Sequence, residues 1–118
     1  MKATSLKGLK WEKRFTYVKN VVFDGKDLHR PGARFQIVRF KKGRRIAPHY
    51  HKQTTEIFYV RSGRGTVTLK GKRFKAEKDD IFLVEPLDVH EIENKGKNDL
   101  VILIFKSFEG RNDIFWKK

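Results

Sequence analysis

The chain has 118 residues, 28 Lys and Arg against 14 Asp and Glu, a formal charge of +14 and no cysteine. One domain with one core is expected at this length, and the missing cysteines exclude a disulfide framework and any thiolate metal or redox site. The longest uncharged apolar run, Leu100 to Phe105, is far short of the about 20 residues that span a bilayer, and the first residues carry no signal-peptide pattern, so a soluble cytoplasmic protein is the expectation.

The charge is unevenly placed. Residues 1–54 hold 15 of the basic residues and three acids (Glu12, Asp24, Asp27), whereas Asp79 to Asn94 holds six acids and no lysine or arginine. A basic first half admits nucleic-acid binding through phosphate neutralisation, but it carries no patterned aromatic partners and reads better as a solvated basic surface.

Taken in chain order, apolar residues recur in short runs rich in Val, Ile, Phe and Tyr: Phe15 to Phe23, Phe35 to Phe40, Glu56 to Val60, Thr66 to Leu69, Ile81 to Val84, Val89 to Ile92 and Leu100 to Phe105. These are strand signals. Between them stand Asp24-Gly25-Lys26, Lys42-Gly43-Arg44, Ser62-Gly63-Arg64-Gly65, Lys70-Gly71-Lys72 and Asn94-Lys95-Gly96, which supply glycine where tight turns need it. No stretch of a dozen residues has a 3.6-residue apolar period, so the expected class is all-β, a sandwich or barrel. The unbroken run Leu100 to Phe105 predicts a strand buried on both faces, either under a covering segment, for which Leu6, Leu9 and Trp11 from one end and Ile114, Phe115 and Trp116 from the other are candidates, or at a subunit interface.

Two segments carry chemistry. In the first, Pro48-His49-Tyr50-His51, residues two apart share one face of an extended chain, so both imidazoles can meet at a point, and Glu56 can join them if the chain turns back at 52–55. In the second, Asp88 to Asn94, the same period puts His90, Ile92 and Asn94 on one face. Neutral imidazole and carboxylate suit divalent Zn, Fe, Mn, Ni, Co or Cu, and three His with one Glu leave two octahedral positions for water or a substrate.

Gly43, His49, His51, Glu56 and Gly63 match G-x5-H-x-H-x4-E-x6-G at every fixed position, and here the chain resembles the cupin family. The family's second motif, G-x5-P-x-G-x2-H-x3-N, is matched at His90 and Asn94 only, because Asp79, Glu85 and Leu87 stand where Gly, Pro and Gly are usual. The resemblance implies a single-domain antiparallel jelly-roll barrel over 1–118, with motifs at 43–63 and 79–94 and flanking segments at 1–14 and 107–118. It also implies a divalent metal held by His49, His51, Glu56 and His90, and a homodimer. Cupins include isomerases, dioxygenases and non-catalytic sensors, so the expected ligand is a small, polar or anionic molecule, with sugar-phosphate isomerisation or dioxygenation as the enzymatic options.

Around that site, Phe58 and Val60 share the side of Glu56 and are expected to wall the pocket. Either Phe82 and Val84 or Ile81 and Leu83 line the barrel, since periodicity cannot choose. Asp88 and Glu85 are loop acids that could accept a proton, Gln53 and Thr54 could touch a polar substrate, and Arg39, Lys41, Arg44 or Arg45 could guide an anion. His29 lies outside both motifs and has no assigned role.

Overall fold

A computed structural model describes residues 1–108 and 112–117; within the flanking segment 107–118, residues 109–111 and 118 lie outside the described part. The described residues form eleven strands and no helix: β1 (Glu12–Lys13), β2 (Val18–Phe23), β3 (Arg34–Phe40), β4 (Arg45–Tyr50), β5 (Glu56–Ser62), β6 (Arg64–Leu69), β7 (Lys72–Glu77), β8 (Ile81–Val84), β9 (His90–Glu93), β10 (Leu100–Lys106) and β11 (Phe115–Trp116). They make two sheets with antiparallel pairing throughout, one of order β1-β2-β3-β10-β5-β8 and one of order β11-β4-β9-β6-β7. This is the expected all-β jelly roll.

Alternation builds the interior. Val38 and Phe40 from β3, Phe58 and Val60 from β5, and Leu100, Ile102 and Ile104 from β10 meet Val67, Ala76 and Ile92 of the other sheet in one core. β8 settles its own ambiguity: Val84 is buried and Phe82 packs on the core, while Ile81 and Leu83 face solvent.

Two expectations need correction. Within the single chain the run Leu100 to Phe105 is fully buried on one face only, since Val101 and Leu103 are half-buried and Phe105 is exposed. A six-residue apolar run signals two-sided burial only where a second layer covers the strand, and here the terminal segments cover other places. Leu6 and Leu9 lie with Phe35 and Ile37 over the outer face of β2 and β3, leaving Ile37 only 1% exposed, and Trp11 stacks under the Arg39 guanidinium at 4.5 Å. Phe115 and Trp116 instead form β11 on the edge of the second sheet, beside β4.

β4 and β7 carry no apolar run and escape a hydrophobicity reading. In β4 the pairing with β9 shifts between Ile46 and His49, placing one extra residue in β4 around Pro48. Such a bulge turns the following side chain to the other face, so both Ile46 and His49 point inward although they are three apart. β7 is an edge strand whose buried contribution is mainly Ala76, and charged residues suit an edge.

Two of the departures from the second motif sit where the backbone favours glycine. Asp79 and Leu87 both have φ of 74°, the left-handed region that glycine adopts without cost. At Leu87 this orients the amide toward the carbonyl of His51, at 2.7 Å. The side chain of Leu87 is exposed, so little packing offsets the strain. Leu87→Gly is expected to leave stability unchanged or raise it by up to about 1 kcal/mol, read as the urea midpoint, where an ordinary exposed Leu→Gly change would lower it.

Asn94 is a structural member of the motif. Buried behind His90's strand, its Nδ2 donates to the carbonyls of Phe40 (2.8 Å) and Asn98 (2.9 Å), and its Oδ1 accepts from the amide of Gly96 (2.9 Å). It fastens the β9–β10 turn to β3.

Candidate metal centre

His49 is the penultimate residue of β4, His51 lies just past its end, His90 opens β9, and Glu56 opens β5 in the other sheet, so the four residues meet at one end of the barrel, between the sheets. All four are buried. One ring nitrogen from each of His49, His51 and His90 lies within 4.8 Å of the others, a cluster that could hold a metal ion. Oε1 of Glu56 comes to 3.0 Å from Nε2 of His51 and 3.3 Å from Nε2 of His90.

The hydrogen bonds fix which nitrogens face the centre. Nδ1 of His49 contacts the carbonyl of Ala47 (2.8 Å), Nδ1 of His51 that of Asp113 (2.6 Å), and Nδ1 of His90 that of Asp88 (2.8 Å). A carbonyl only accepts, so each Nδ1 carries a proton, and each ring when neutral offers the lone pair of Nε2. Nε2 of His51, Nε2 of His90 and Oε1 of Glu56 are buried and find no hydrogen-bond partner outside this group. Three lone-pair atoms packed together repel unless a cation or a proton stands among them, and the donor set fits a divalent ion.

The charges around the site follow the same logic. Burial pushes His49 down to about 4, keeping its ring neutral. Burial also lowers His51, but hydrogen bonding and charge from Glu56 outweigh it and raise the ring above its ordinary value. Burial pushes the Glu56 carboxyl up, and the rings of His51 and His90 with the Lys106 ammonium overcome this, holding it well below the usual carboxylate range. Glu56 is therefore an anion waiting for positive charge. Phe58 does wall the pocket, its ring 6.0 Å from that of His90.

Other candidates have structural work. Asp88 accepts from the amide of Glu85 (3.0 Å) through Oδ2 and so holds the turn that leads to His90. Tyr50 points away from the histidine pair and stacks on Phe115. Arg39 and Arg45 face Asp99 and Glu91. Gln53 and Thr54 belong to a clasp that the sequence concealed. Oδ1 of Asp113 accepts from the amide of Lys52 (2.9 Å), and Oδ2 accepts from the amide of Gln53 (3.1 Å) and the hydroxyl of Thr54 (2.8 Å). The same residue's carbonyl receives the Nδ1 proton of His51, so one side chain shapes the 52–54 turn while its backbone aims the ring. No motif or period marks Asp113, which lies 62 residues beyond His51. Asp113→Ala is expected to weaken zinc binding about 10- to 100-fold, as loss of groups that orient metal ligands does. Competition against a chromophoric chelator reads this directly, and unchanged affinity would remove the clasp's role.

The comparisons agree with this architecture. The model for the Cupin domain family matches residues 36–106. An uncharacterized protein of Methanocaldococcus jannaschii is 38% identical over 61 residues, which are 52% of this chain and 49% of that protein, so the chain spans about half the length of the curated relative it matches. Among solved structures, a predicted oxalate decarboxylase of Thermotoga maritima superposes with a TM-score of 0.84 at 20% identity, covering 91% of this chain and 99% of that one. A protein of Acidithiobacillus ferrooxidans provisionally assigned as a sugar phosphate isomerase gives a TM-score of 0.70 at 20% identity over 86% of this chain and 68% of its own. At such identities these neighbours show the fold alone. With its jelly roll, both histidine segments and a family match over more than half its length, the chain belongs to the cupin family.

Proposed function

We propose that this cupin holds one divalent transition-metal ion through His49, His51, His90 and Glu56, and that the ion's remaining positions bind a small polar or anionic molecule. One observation carries the reading: the buried Nε2 atoms of His51 and His90, with no partner outside the site, face Oε1 of Glu56 at 3.0 and 3.3 Å while every Nδ1 is already engaged by a carbonyl. When bound, the ion supplies a Lewis acid that polarises an oxygen of the ligand. The chain's own residues hold the rings in the ligating tautomer, keep Glu56 ionised and, through Phe58 and Ile92, exclude bulk water.

The test is metal content after purification without added metal. About one ion per chain is expected, and absence of metal with no uptake on titration overturns the reading. Turnover separates its two forms. Metal-loaded protein that converts sugar phosphates, diphenols or keto acids is an isomerase or dioxygenase, and one that binds without turnover is a sensing module.

The same proposal includes a homodimer. Ile57 pairs across the sheet with both Leu83 and Phe105, and Ile81 continues the row; all four are exposed on the outer face of β10, β5 and β8. A contiguous apolar strip on a sheet edge is what a second copy would cover. Sedimentation velocity is expected to give twice the chain mass, and a monomer at micromolar concentration overturns this part alone.

A further inference from the structure

The two ends of the barrel differ in charge as well as in chemistry. The histidines converge at one end; at the other, β3 passes to β4, β5 to β6 and β9 to β10. These three junctions carry Lys41, Lys42 and Arg44, then Arg64, then Lys95 and Lys97. Backbone contacts hold them side by side. The amide of Gly43 donates to the carbonyl of Asn94 (3.2 Å), the amide of Asn94 donates to that of Arg44 (2.9 Å), and a carbon added to Gly96 would stand 3.0 Å from the carbonyl oxygen of Arg64.

All six cations are exposed. Lys95 pairs with Glu93 at 3.4 Å, but Lys41, Lys42, Arg44, Arg64 and Lys97 have no ion pair among the described residues. The acids around them are engaged or stand to one side. Asp99 faces Arg39, Glu91 faces Arg45, Asp79 accepts from the Tyr59 hydroxyl, and Oδ2 of Asp80 accepts from the Glu77 amide (2.8 Å). Glu77, in register with Arg64, offsets one charge, and with Asp79 and Asp80 it limits the basic surface on the β7–β8 side. Chain order conceals this surface, because Arg64 and Lys97 come from the half of the sequence whose charges nearly balance. Lys41 and Arg44, expected to guide an anion to the metal site, lie at the end opposite to it.

The composition of the surface selects its partner. Residues 41–44, 62–64 and 94–99 include no aromatic and no large apolar side chain, whereas a protein interface needs apolar anchors at its centre. Nor is there a ring on which an unpaired base would stack. Charge is what remains, and a nucleic-acid duplex offers it densely, with one negative charge per about 1.7 Å of axis.

We infer that this end of the barrel docks on the phosphate backbone of a nucleic-acid duplex without reading its sequence, through Lys41, Lys42, Arg44, Arg64 and Lys97. The metal centre, at the far end, takes no part. Fluorescence anisotropy with a short DNA duplex of mixed sequence, and with the RNA duplex of the same sequence, measures binding between about 50 and 200 mM salt. Micromolar affinity is expected for both, within about tenfold of each other. Log affinity should fall against log salt with a slope of about −4, each neutralised phosphate contributing about −0.9.

The double variant Lys42→Glu with Arg44→Glu is expected to weaken binding at least tenfold, and Lys97→Glu alone about fivefold. The control makes the same change in net charge at the metal end. Lys70→Glu with Lys72→Glu alters the β6–β7 turn, next to Leu69, which is in register with His90, and is expected to weaken binding less than threefold. Equal losses for the two double variants would mean that net charge alone governs, and would overturn the inference. Affinity untouched by Lys97→Glu overturns it too, as does binding confined to one of the duplexes or equally tight binding to phosphatidylserine vesicles.

Discussion

His90→Ala is expected to lower zinc affinity by at least about 100-fold, because it removes one of three imidazoles whose tautomers are set in advance and leaves Glu56 with a single ring beside it. Glu56→Gln, which keeps the volume, is expected to have an effect of similar size but a different pH signature. In the unaltered protein the His51 ring is raised above its ordinary value of 6.5, so a proton occupies the ligating nitrogen at a pH where free imidazole is neutral. That proton must leave before metal enters, and affinity therefore falls as pH drops through a window that begins above 6.5. Removing the Glu56 charge removes the main cause of the elevation. Zinc affinity of Glu56→Gln should then depend less on pH between 8 and 7 than that of the unaltered protein. Titrations at pH 8, 7 and 6 with a competing chelator measure both effects, and parallel pH curves for the two proteins would show that Glu56 does not govern the His51 ring.

The second large effect concerns folding. A Cβ placed on Gly63 would stand 2.3 Å from the carbonyl oxygen of Asp99 and 2.8 Å from Cα of Leu100, both backbone atoms of the strand entry opposite, and its φ is +88°. Neither obstacle can rotate away. Gly63→Ala is expected to cost more than about 3 kcal/mol, combining left-handed strain with a forced separation of β5 from β10. Gly43→Ala is the control, since its φ is +76° and nothing lies within 4 Å of the added carbon. Strain alone applies there, and about 1 kcal/mol is expected. Urea unfolding of both variants decides, and equal losses would mean that the close approach to Asp99 relaxes freely. The two glycines of the first motif thus serve different ends, one a turn and the other a contact.

The sites of legibility follow from how each residue signals. His49, His51, Glu56 and His90 were readable because an extended chain places alternate residues on one face and ligand types are rare enough to stand out. Phe58 followed from the same alternation, whereas Val60, expected beside it in the pocket wall, packs in the core instead. β4 was hidden although it carries the first pair, because a bulge at Pro48 breaks the period that reveals a strand. β7 was hidden because an edge strand buries little. Asp113 had no local signal at all, since its role exists only once a distant segment folds back.

The bond between His51 and the carbonyl of Asp113 also sets an order of events. A ribosome adds 62 residues after His51 before the group that aims its ring exists. His49 and His90, by contrast, are oriented by carbonyls two residues away and are preset as soon as their strands pair. A nascent chain therefore carries an incomplete set until residue 113 has emerged, and a metal held there would reach full affinity only after β11 has docked along β4. Synthesis itself would delay capture of whatever ion the cell offers until the surrounding fold is in place.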